Sequence, residues 1–194
     1  AQVRGNLYGD EIEAIMRDLE EIPGKIQEVL DRSGQVEKLA RDMVDATSVL
    51  FLGRHVGFPT ALEGALKLKE IAYIHAEGFA AGELKHGPIA LVEEGQPVFI
   101  VVPSPRGRDS LHAKVVSNIQ EVRARGAFTL VIAEEGDTDV EPYADVVIRY
   151  PETRTLFAPL LTIIPLQIFA CELATAKGLD VDQPRNLAKS VTVE

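Results

Sequence analysis

Four short runs of apolar, largely β-branched residues recur along this 194-residue chain, and they constrain its fold more than any other feature. Each run is uninterrupted, as expected of strands that are covered on both faces. Helical patterns lie between them, and this alternation predicts a parallel sheet with right-handed crossovers. The expected fold is therefore α/β, a three-layer sandwich in which helices flank a parallel, doubly wound sheet. The runs are SVLFLG at 48–53, PVFIVVP at 97–103, FTLVIAEEG at 128–136 and DVVIRYP at 145–151.

The helical patterns cover most of the remaining chain. Residues 1–34 are charged and helical in period, but they lack enough apolar residues for a core of their own. A second amphipathic pattern spans 36–44. The patterns that alternate with the strands are predicted at 60–74, 110–125 and 156–177.

Composition limits the number of domains and the class of partner. A chain of this length with 46% hydrophobic residues can bury one sizeable core, so one globular domain is expected. The formal net charge is -10, and no block of Lys and Arg is present. Nucleic acids and anionic membranes attract concentrated positive charge, so neither is an expected partner. A small anionic ligand would need local basic groups, and these exist at Lys67, Lys69, Lys85 and Lys189.

The apolar run at 156–178 contains the single cysteine, Cys171. In such a setting a thiol usually behaves as a small buried hydrophobe, and we expect no nucleophile there. The run is interrupted by Pro159, Pro165, Gln167 and Glu172 before it reaches the ~18 apolar residues of a membrane span. It predicts a buried, kinked helix. One cysteine and no signal-like amino terminus predict a reducing, cytoplasmic location.

The loops after the strands are where a doubly wound sheet places its ligands. GRHVGFPT at 53–60 has no G-x-G-x-x-G and no Walker lysine, so neither dinucleotide nor nucleoside triphosphate binding is supported. PSPRGRDS at 103–110 could hold an anion on backbone amides at a helix start. Its prolines remove donors, and a solvated basic turn is the favoured interpretation.

Three charged residues fall on one stripe of the helix predicted at 60–74. Glu63, Lys67 and Glu70 occupy relative positions 0, 4 and 7. Spacing alone favours an exposed ladder of ion pairs, worth a few tenths of a kcal/mol per pair. A ligand site on this stripe is the alternative hypothesis.

His86 lies in the turn KHGP, after the small-residue passage AAGE. A loop histidine can titrate near neutrality and move protons, although a surface histidine is an equally good interpretation. His55, His75 and His112 lack a comparable setting. The four histidines show no metal-ligand spacing with a carboxylate pair, so no metal site is expected.

The tail at 180–194 continues without periodicity after the last helical pattern. Frayed termini are the usual explanation of such a tail. A tail folded over the sheet could instead carry Lys189 into a ligand site.

Two long motifs carry a resemblance to a known family. LEGALKLKEIAYIHAEGFAAGELKHGP at 62–88 and DQPRNLAKSVTVE at 182–194 closely resemble the isomerase portion of the glutamine:fructose-6-phosphate aminotransferases, and the likeness extends from about residue 36 to the last residue. The resemblance implies a sugar isomerase (SIS) domain with flavodoxin-like topology, the second of two in that family. It implies a connector helix region from the preceding domain at 1–34, the SIS domain at 35–178 and a carboxyl-terminal active-site loop at 179–194.

The same resemblance implies a function and its partners. The family converts fructose 6-phosphate and glutamine-derived ammonia into glucosamine 6-phosphate by a ketose-to-aldose isomerisation. The implied partners are the sugar phosphate, the first SIS domain and the glutaminase domain of the same chain, and a second copy in a homodimer. No cofactor is implied.

Residue by residue, the resemblance matches three catalytic and two substrate-binding positions. Glu70 matches the carboxylate that moves a proton between C1 and C2 of the fructosimine. His86 matches a histidine that assists ring opening and reaches the site from the adjoining subunit. Lys189 matches a lysine that can form a Schiff base with the open-chain ketose. Lys67 matches a lysine near the substrate hydroxyls, and Ala188 a backbone contact.

One departure from the family pattern limits what this chain does alone. SIS domains usually hold the sugar phosphate on a Ser/Thr-rich loop, and PSPRGRDS at the equivalent place has lost most of those hydroxyls. The phosphate cradle is therefore expected in the first SIS domain, and this chain by itself is expected to have no turnover. Two alternatives remain open: a noncatalytic SIS module that senses a sugar phosphate, and a dimerisation scaffold.

Overall fold

The computed structural model describes residues 2–106 and 111–187, and it confirms the predicted α/β architecture. All neighbouring strands of its single sheet are parallel. Parallel strands require crossover connections, and the helices of this chain provide most of them. The strands are β1 (Ser48–Gly53), β2 (His75–Ala80), β3 (Pro97–Val101), β4 (Phe128–Glu134) and β5 (Val146–Tyr150).

The strand order across the sheet is β2-β1-β3-β4-β5. This is the flavodoxin-like order of doubly wound sheets, with the reversal between β1 and β3. The amino ends of all five strands lie at one edge of the sheet, called here the amino edge, and their carboxyl ends lie at the other, called the carboxyl edge.

The described residues contain six α-helices, which cover the sheet and extend beyond it. α4 is continued without a break by a π-helix at Leu68–Ala72, and short 3-10 turns occupy Leu84–His86, Pro88–Leu91 and Glu141–Tyr143. The α-helices are α1 (Gly9–Glu20), α2 (Ile22–Asp31), α3 (Gly34–Asp42), α4 (Gly57–Lys67), α5 (Leu111–Arg123) and α6 (Ala158–Ala176).

Two hydrophobic clusters, one on each face of the sheet, explain why the strand runs are apolar without alternation. Phe51 and Phe99 face the cluster formed with α2, α3, α4 and α6. Their rings stack at 5.2 Å between centroids, and Phe169 of α6 packs edge-on against Phe99 at 4.8 Å. Leu50 and Ile100 face the opposite cluster, which includes α5. Both faces of the central strands are therefore buried, as predicted.

β2 is the element that the sequence prediction missed. The helix predicted at 60–74 ends at Ala72, and the next residues form an edge strand that pairs with β1 alone. Its sequence, HAEGFA, contains no β-branched residue and is largely half-buried, so it lacks the pattern of the other strands. A Cβ added at Gly78 would lie 3.0 Å from Cα of Leu62, so the glycine allows α4 to pack closely on this strand.

α6 is a core helix of the domain. By length and composition its 19 residues would suffice to cross a membrane, but it packs against α2, α3 and α4 and half of it is buried. The predicted buried helix is confirmed, with Pro165 inside it. Cys171, however, is exposed, so its predicted burial was wrong. The next residue, Glu172, pairs with Arg41 of α3 at 3.4 Å, which places this part of α6 at the surface.

Asp145 connects the start of β5 to β4. Its carboxylate accepts hydrogen bonds from the backbone N–H and the hydroxyl of Thr129, at 2.8 and 2.9 Å, and lies 3.1 Å from Arg123. Burial by itself would raise the pKa of Asp145. The hydrogen bonds from Thr129 and the charge of Arg123 overcome that effect, so the pKa lies below its usual value.

Candidate active site

The predicted stripe of charges lies where α4 passes into the π-helix. The N–H of Tyr73 donates to the carbonyl of Leu68, five residues earlier, and Tyr73 then ends the helix in a left-handed conformation with φ of 54°. Leu68 and Ala72 are buried in the core, so the widened turn is held from inside while Glu70 stays half-buried. Single π-turns of this kind often occur at functional sites.

Lys67 joins the two carboxylates of the stripe. Its Nζ lies 2.5 Å from Oε2 of Glu70 and 3.4 Å from Oε1 of Glu63. The side chains of Lys67 and Glu70 are 28% and 27% exposed. These groups are therefore neither a solvated ladder nor a core pair, and they remain accessible to a small molecule.

The hydrogen bond to Glu70 raises the pKa of Lys67 above its usual value. Partial burial opposes the shift, and the charges of Glu63 and Glu70 add to it. Lys67 is consequently protonated at neutral pH. The ammonium of Lys67 thus lies against Oε2 of Glu70, while the structure gives Oε1 no hydrogen bond within residues 2–106 and 111–187.

Glu70 lines a cleft of about 560 Å³ at the amino edge of the sheet. One wall is the π-helix with Tyr73 and the start of β2. The opposite wall is the chain that follows α6, ending with Leu187. The full lining is Lys69, Glu70, Tyr73, Ile74, His75, Arg185, Asn186 and Leu187.

His86 lies at the other end of β2. It is exposed, in the 3-10 turn Leu84–His86 that follows the carboxyl end of this strand, whereas Glu70 precedes the amino end. A strand of this length, at ~3.3 Å per residue, separates its ends by roughly 17 Å. A single copy of the chain therefore does not bring the imidazole of His86 to the carboxylate of Glu70.

The two remaining predicted site residues, Ala188 and Lys189, lie outside the described residues. Leu187 is the last residue of the described range and lines the Glu70 cleft. Ala188 is next in the sequence, and Lys189 follows it.

A second and larger cleft, of about 790 Å³, lies at the carboxyl edge. Ser104 and Arg106 of the loop after β3 line it, together with residues that follow β5. Arg106 forms ion pairs with the buried Glu134 and, at 2.6 Å, with Glu152. Its guanidinium is thus already neutralised by carboxylates. Residues 107–110, the rest of the predicted basic turn, lie outside the described residues. We place the candidate chemistry at the smaller cleft, because Glu70, which pairs with Lys67, lines it.

His112 does meet a carboxylate pair, contrary to the expectation from spacing. Its Nε2 lies 2.8 Å from Oδ2 of the buried Asp137, and Asp139 lies 4.0 Å from its Nδ1. Ligand atoms of the three residues are within 4.8 Å of one another, so they could hold a metal ion. One His112–Asp137 hydrogen bond and a longer contact with Asp139 explain the arrangement without an ion, however.

Tyr73 and Arg185 are cleft residues that sequence reasoning missed. Both lie inside the two motifs that carry the family resemblance, IAYIHAEG and DQPRNLAK. Their membership of these motifs was the available signal, but neither residue type suggests proton transfer to a sugar. Only the fold brings the two motifs together.

Comparison with known proteins supports the fold and the resemblance. Residues 42–177 match the model of the SIS domain family. A solved structure, the C-terminal domain of glucosamine-fructose-6-phosphate aminotransferase from Francisella tularensis, superposes with a TM-score of 0.85 at 35% identity, covering 94% of this chain and 50% of that one. The tagatose-6-phosphate ketose/aldose isomerase from Escherichia coli shares the fold, with a TM-score of 0.70 at 20% identity, over 81% of this chain and 43% of that one.

Curated relatives match over the whole chain. The glutamine-fructose-6-phosphate aminotransferase (isomerizing) of Corynebacterium efficiens is 73% identical over 194 residues. The proteins of the same name from Streptomyces coelicolor and Mycobacterium tuberculosis are 68% and 61% identical. The chain spans only 31% of the length of each of these relatives. The resemblance inferred from the two motifs is thereby confirmed.

Proposed function

We propose, from the premise that this chain belongs to the SIS domain family, that it is the isomerase part of a longer enzyme that makes glucosamine 6-phosphate. The substrates would be fructose 6-phosphate and ammonia derived from glutamine. The observation that carries the proposal is the cleft at Glu70, formed by the two motifs that the chain shares with the aminotransferases. The proposed location is the cytoplasm.

Glu70 is the proposed proton carrier. It removes a proton from C1 of the fructosimine as the imine nitrogen gains one, which gives an enolamine, and returns the proton to C2 as the C1 hydroxyl loses one, which leaves a 2-amino aldose. Such a transfer needs one base over two adjacent carbons. The geometry at Glu70 supports this role, because Lys67 holds Oε2 at 2.5 Å and Oε1 remains available to the substrate.

Lys189 is proposed to bind the open-chain ketose as a Schiff base, with Ala188 as a backbone contact beside it. Two residues before Lys189, Leu187 lines the cleft that contains Glu70. Lys67, whose ammonium pairs with Glu70 of this cleft, is proposed to contact substrate hydroxyls as well as Glu70.

His86 is proposed to act in the site of a neighbouring copy. Within one chain it lies at the opposite edge of the sheet from Glu70, so a homodimer would have to unite the two groups. In this arrangement each site contains Glu70 of one chain and His86 of the partner subunit. The proposed domain boundaries follow the resemblance: a connector at 1–34, the SIS domain at 35–178 and the active-site loop at 179–194.

The decisive experiment replaces Glu70 by Gln in the full-length protein. Isomerisation of fructose 6-phosphate should fall by roughly a hundredfold or more while the sugar phosphate still binds. Glu93→Gln, at an exposed position outside the cleft, is the matched control and should leave the rate unchanged. An unchanged rate in Glu70→Gln would remove the enzymatic role and leave a sugar-phosphate sensor or a dimerisation scaffold.

Mixing two inactive variants tests the shared site. In a random mixture of Glu70→Gln and His86→Ala chains, half of the dimers are mixed, and each mixed dimer contains one intact site of two. Roughly a quarter of the unmodified activity should therefore return. If mixing restores nothing, although the two variants exchange subunits, His86 does not act across the dimer.

A further inference from the structure

Tyr73 contacts Arg185 in two ways. The phenol oxygen of Tyr73 accepts a hydrogen bond from the backbone N–H of Arg185 at 2.7 Å. The guanidinium carbon of Arg185 lies 4.1 Å from the centroid of the Tyr73 ring, within the range of a cation–π contact. One aromatic side chain therefore holds both the backbone and the side chain of a residue that is 112 positions away in sequence.

The segment around Arg185 has a defined local conformation. Oδ1 of Asp180 accepts hydrogen bonds from the N–H groups of Asp182 and Gln183, at 2.9 and 3.0 Å, so the chain turns directly after α6. Asn186 then adopts a left-handed conformation with φ of 63°. Leu187, the next residue, lines the Glu70 cleft. The Tyr73–Arg185 contact thus lies between the turn after α6 and the residue that reaches the cleft.

Tyr73 is also tied to Glu70 through the backbone. It is three residues beyond Glu70, and its N–H closes the π-turn by donating to Leu68. Its left-handed conformation ends the helix at this point. The carboxylate and the aromatic anchor consequently belong to one rigid element, and a segment held by Tyr73 is held in a fixed relation to Glu70.

We infer that Tyr73 is a positioning residue, which holds the segment at Arg185 so that Asn186 and Leu187 stay in place as the wall of the cleft opposite Glu70. This inference rests on the proposed function. Arg185 precedes Leu187 by two residues, so an anchor at Arg185 restricts where this wall can move. Tyr73 takes no part in bond making; it acts through Arg185 on the position of the cleft wall.

The two contacts can be removed one at a time. Tyr73→Phe keeps the ring and removes the hydrogen-bond acceptor, and Tyr73→Ala removes both contacts. Arg185→Lys keeps the charge but loses the planar group that stacks on an aromatic ring. Tyr143→Phe, at a half-buried tyrosine outside the cleft, is the matched control.

In the full-length enzyme, kcat should fall roughly threefold in Tyr73→Phe and roughly tenfold or more in Tyr73→Ala, in line with one neutral hydrogen bond and one exposed cation–π contact. KM for fructose 6-phosphate should change less than kcat, because the phosphate is held elsewhere. The conservative Tyr73→Phe should retain most of the activity lost in Tyr73→Ala. An equal loss in both, or a change confined to KM, would overturn the positioning role.

A second readout is independent of activity. Trypsin can cleave after Arg185, and the contact with Tyr73 should slow that cleavage, since a protease needs the segment released. Tyr73→Ala should accelerate cleavage of the Arg185–Asn186 bond, followed by mass spectrometry, by roughly threefold or more, and Tyr143→Phe should not. An unchanged cleavage rate in Tyr73→Ala would overturn the anchor itself.

The two readouts separate the inference from the proposed function. If the unmodified full-length protein did not convert fructose 6-phosphate, the proposed function would fail, and with it the role of the anchor in catalysis. The cleavage assay would still report whether Tyr73 holds the segment. If cleavage accelerates in Tyr73→Ala but kcat of an active enzyme stays unchanged, the contact is structural only and the positioning role is wrong.

Discussion

Nζ of Lys67 lies 2.5 Å from Oε2 of Glu70, three residues along the same helix. The pair lies at the junction of α4 and the π-helix, where the turn widens and the carboxylate projects into an open cleft. A surface pair at this spacing contributes little to stability. Under the proposed function, the role of the pair is to orient Glu70.

Lys67→Met should therefore affect turnover more than folding. Without the ammonium, Oε2 of Glu70 loses its fixed partner, and Glu63 and Glu70 lose the charge between them. We expect kcat of the full-length enzyme to fall by roughly tenfold or more, while the midpoint of thermal unfolding changes by a few degrees at most. Lys114→Met on the exposed side of α5 is the control and should change neither. A large loss of stability in Lys67→Met would assign the pair a structural role instead.

The chain by itself should bind fructose 6-phosphate weakly or not at all. The Ser/Thr-rich loop that SIS domains use for phosphate is replaced here by PSPRGRDS, and Arg106 of that loop is already paired with Glu134 and Glu152. Isothermal titration of the 194-residue chain with fructose 6-phosphate should show no saturation in the micromolar range, whereas the full-length protein should bind. Micromolar binding by the chain alone would place a phosphate site within it.

Gly64→Ala should destabilise the fold although alanine is the better helix former. A Cβ at this position of α4 would meet Cδ1 of Leu166 at 2.7 Å and the ring of Phe51 at 3.0 Å. We expect a loss of about 1–3 kcal/mol in the free energy of unfolding, measured by urea denaturation. Gly24→Ala in α2, where an added Cβ meets nothing within 4 Å, is the control and should be neutral or slightly stabilising. Equal effects at both sites would contradict close packing between α4 and α6.

Asp145 should contribute to stability in a pH-dependent way. Its pKa in the folded chain lies below the ordinary value of 3.8, so the unfolded chain takes up this proton first as the pH falls. The contribution is present above that ordinary value and is lost as the pH falls through the lower folded pKa. Asp145→Asn should cost about 1–2 kcal/mol at pH 7 and flatten the dependence of unfolding free energy on pH on the acid side. An unchanged acid-side slope in Asp145→Asn would show that other carboxyl groups determine it.

Local pattern was sufficient to predict the central strands. β1, β3 and β4 are buried on both faces, so nearly every residue in them is apolar. β5 is a partly exposed edge strand, but its β-branched run VVI still stands out. β2 has one partner strand and a half-exposed face, and its residues HAEGFA carry no comparable pattern. Its extended conformation depends on pairing with β1, which is a contact between segments that are distant in sequence.

In the candidate site, too, some features could be predicted from local sequence and others could not. The i, i+4, i+7 spacing of Glu63, Lys67 and Glu70 places them on one helix stripe, and the observed contacts follow from it. The burial of Cys171 was wrongly predicted, because an apolar run does not specify which side of its helix faces the solvent. The contact of His112 with Asp137 and Asp139 was also missed, since His112 lies in α5 and the two aspartates lie in the loop after β4.

Some features of this protein follow from its sequence alone, and others depend on its tertiary structure. The alternation of strands and helices, the charged stripe and the family motifs follow from short-range periodicity and residue order, which are present in the chain before it folds. The cleft and the contact of Arg185 with Tyr73 depend on the packed fold, which brings segments that are distant in sequence together. The separation of His86 from Glu70 depends on the parallel sheet, in which β2 holds its two ends apart. Only the packed fold determines those distances, because no local pattern specifies which segments meet.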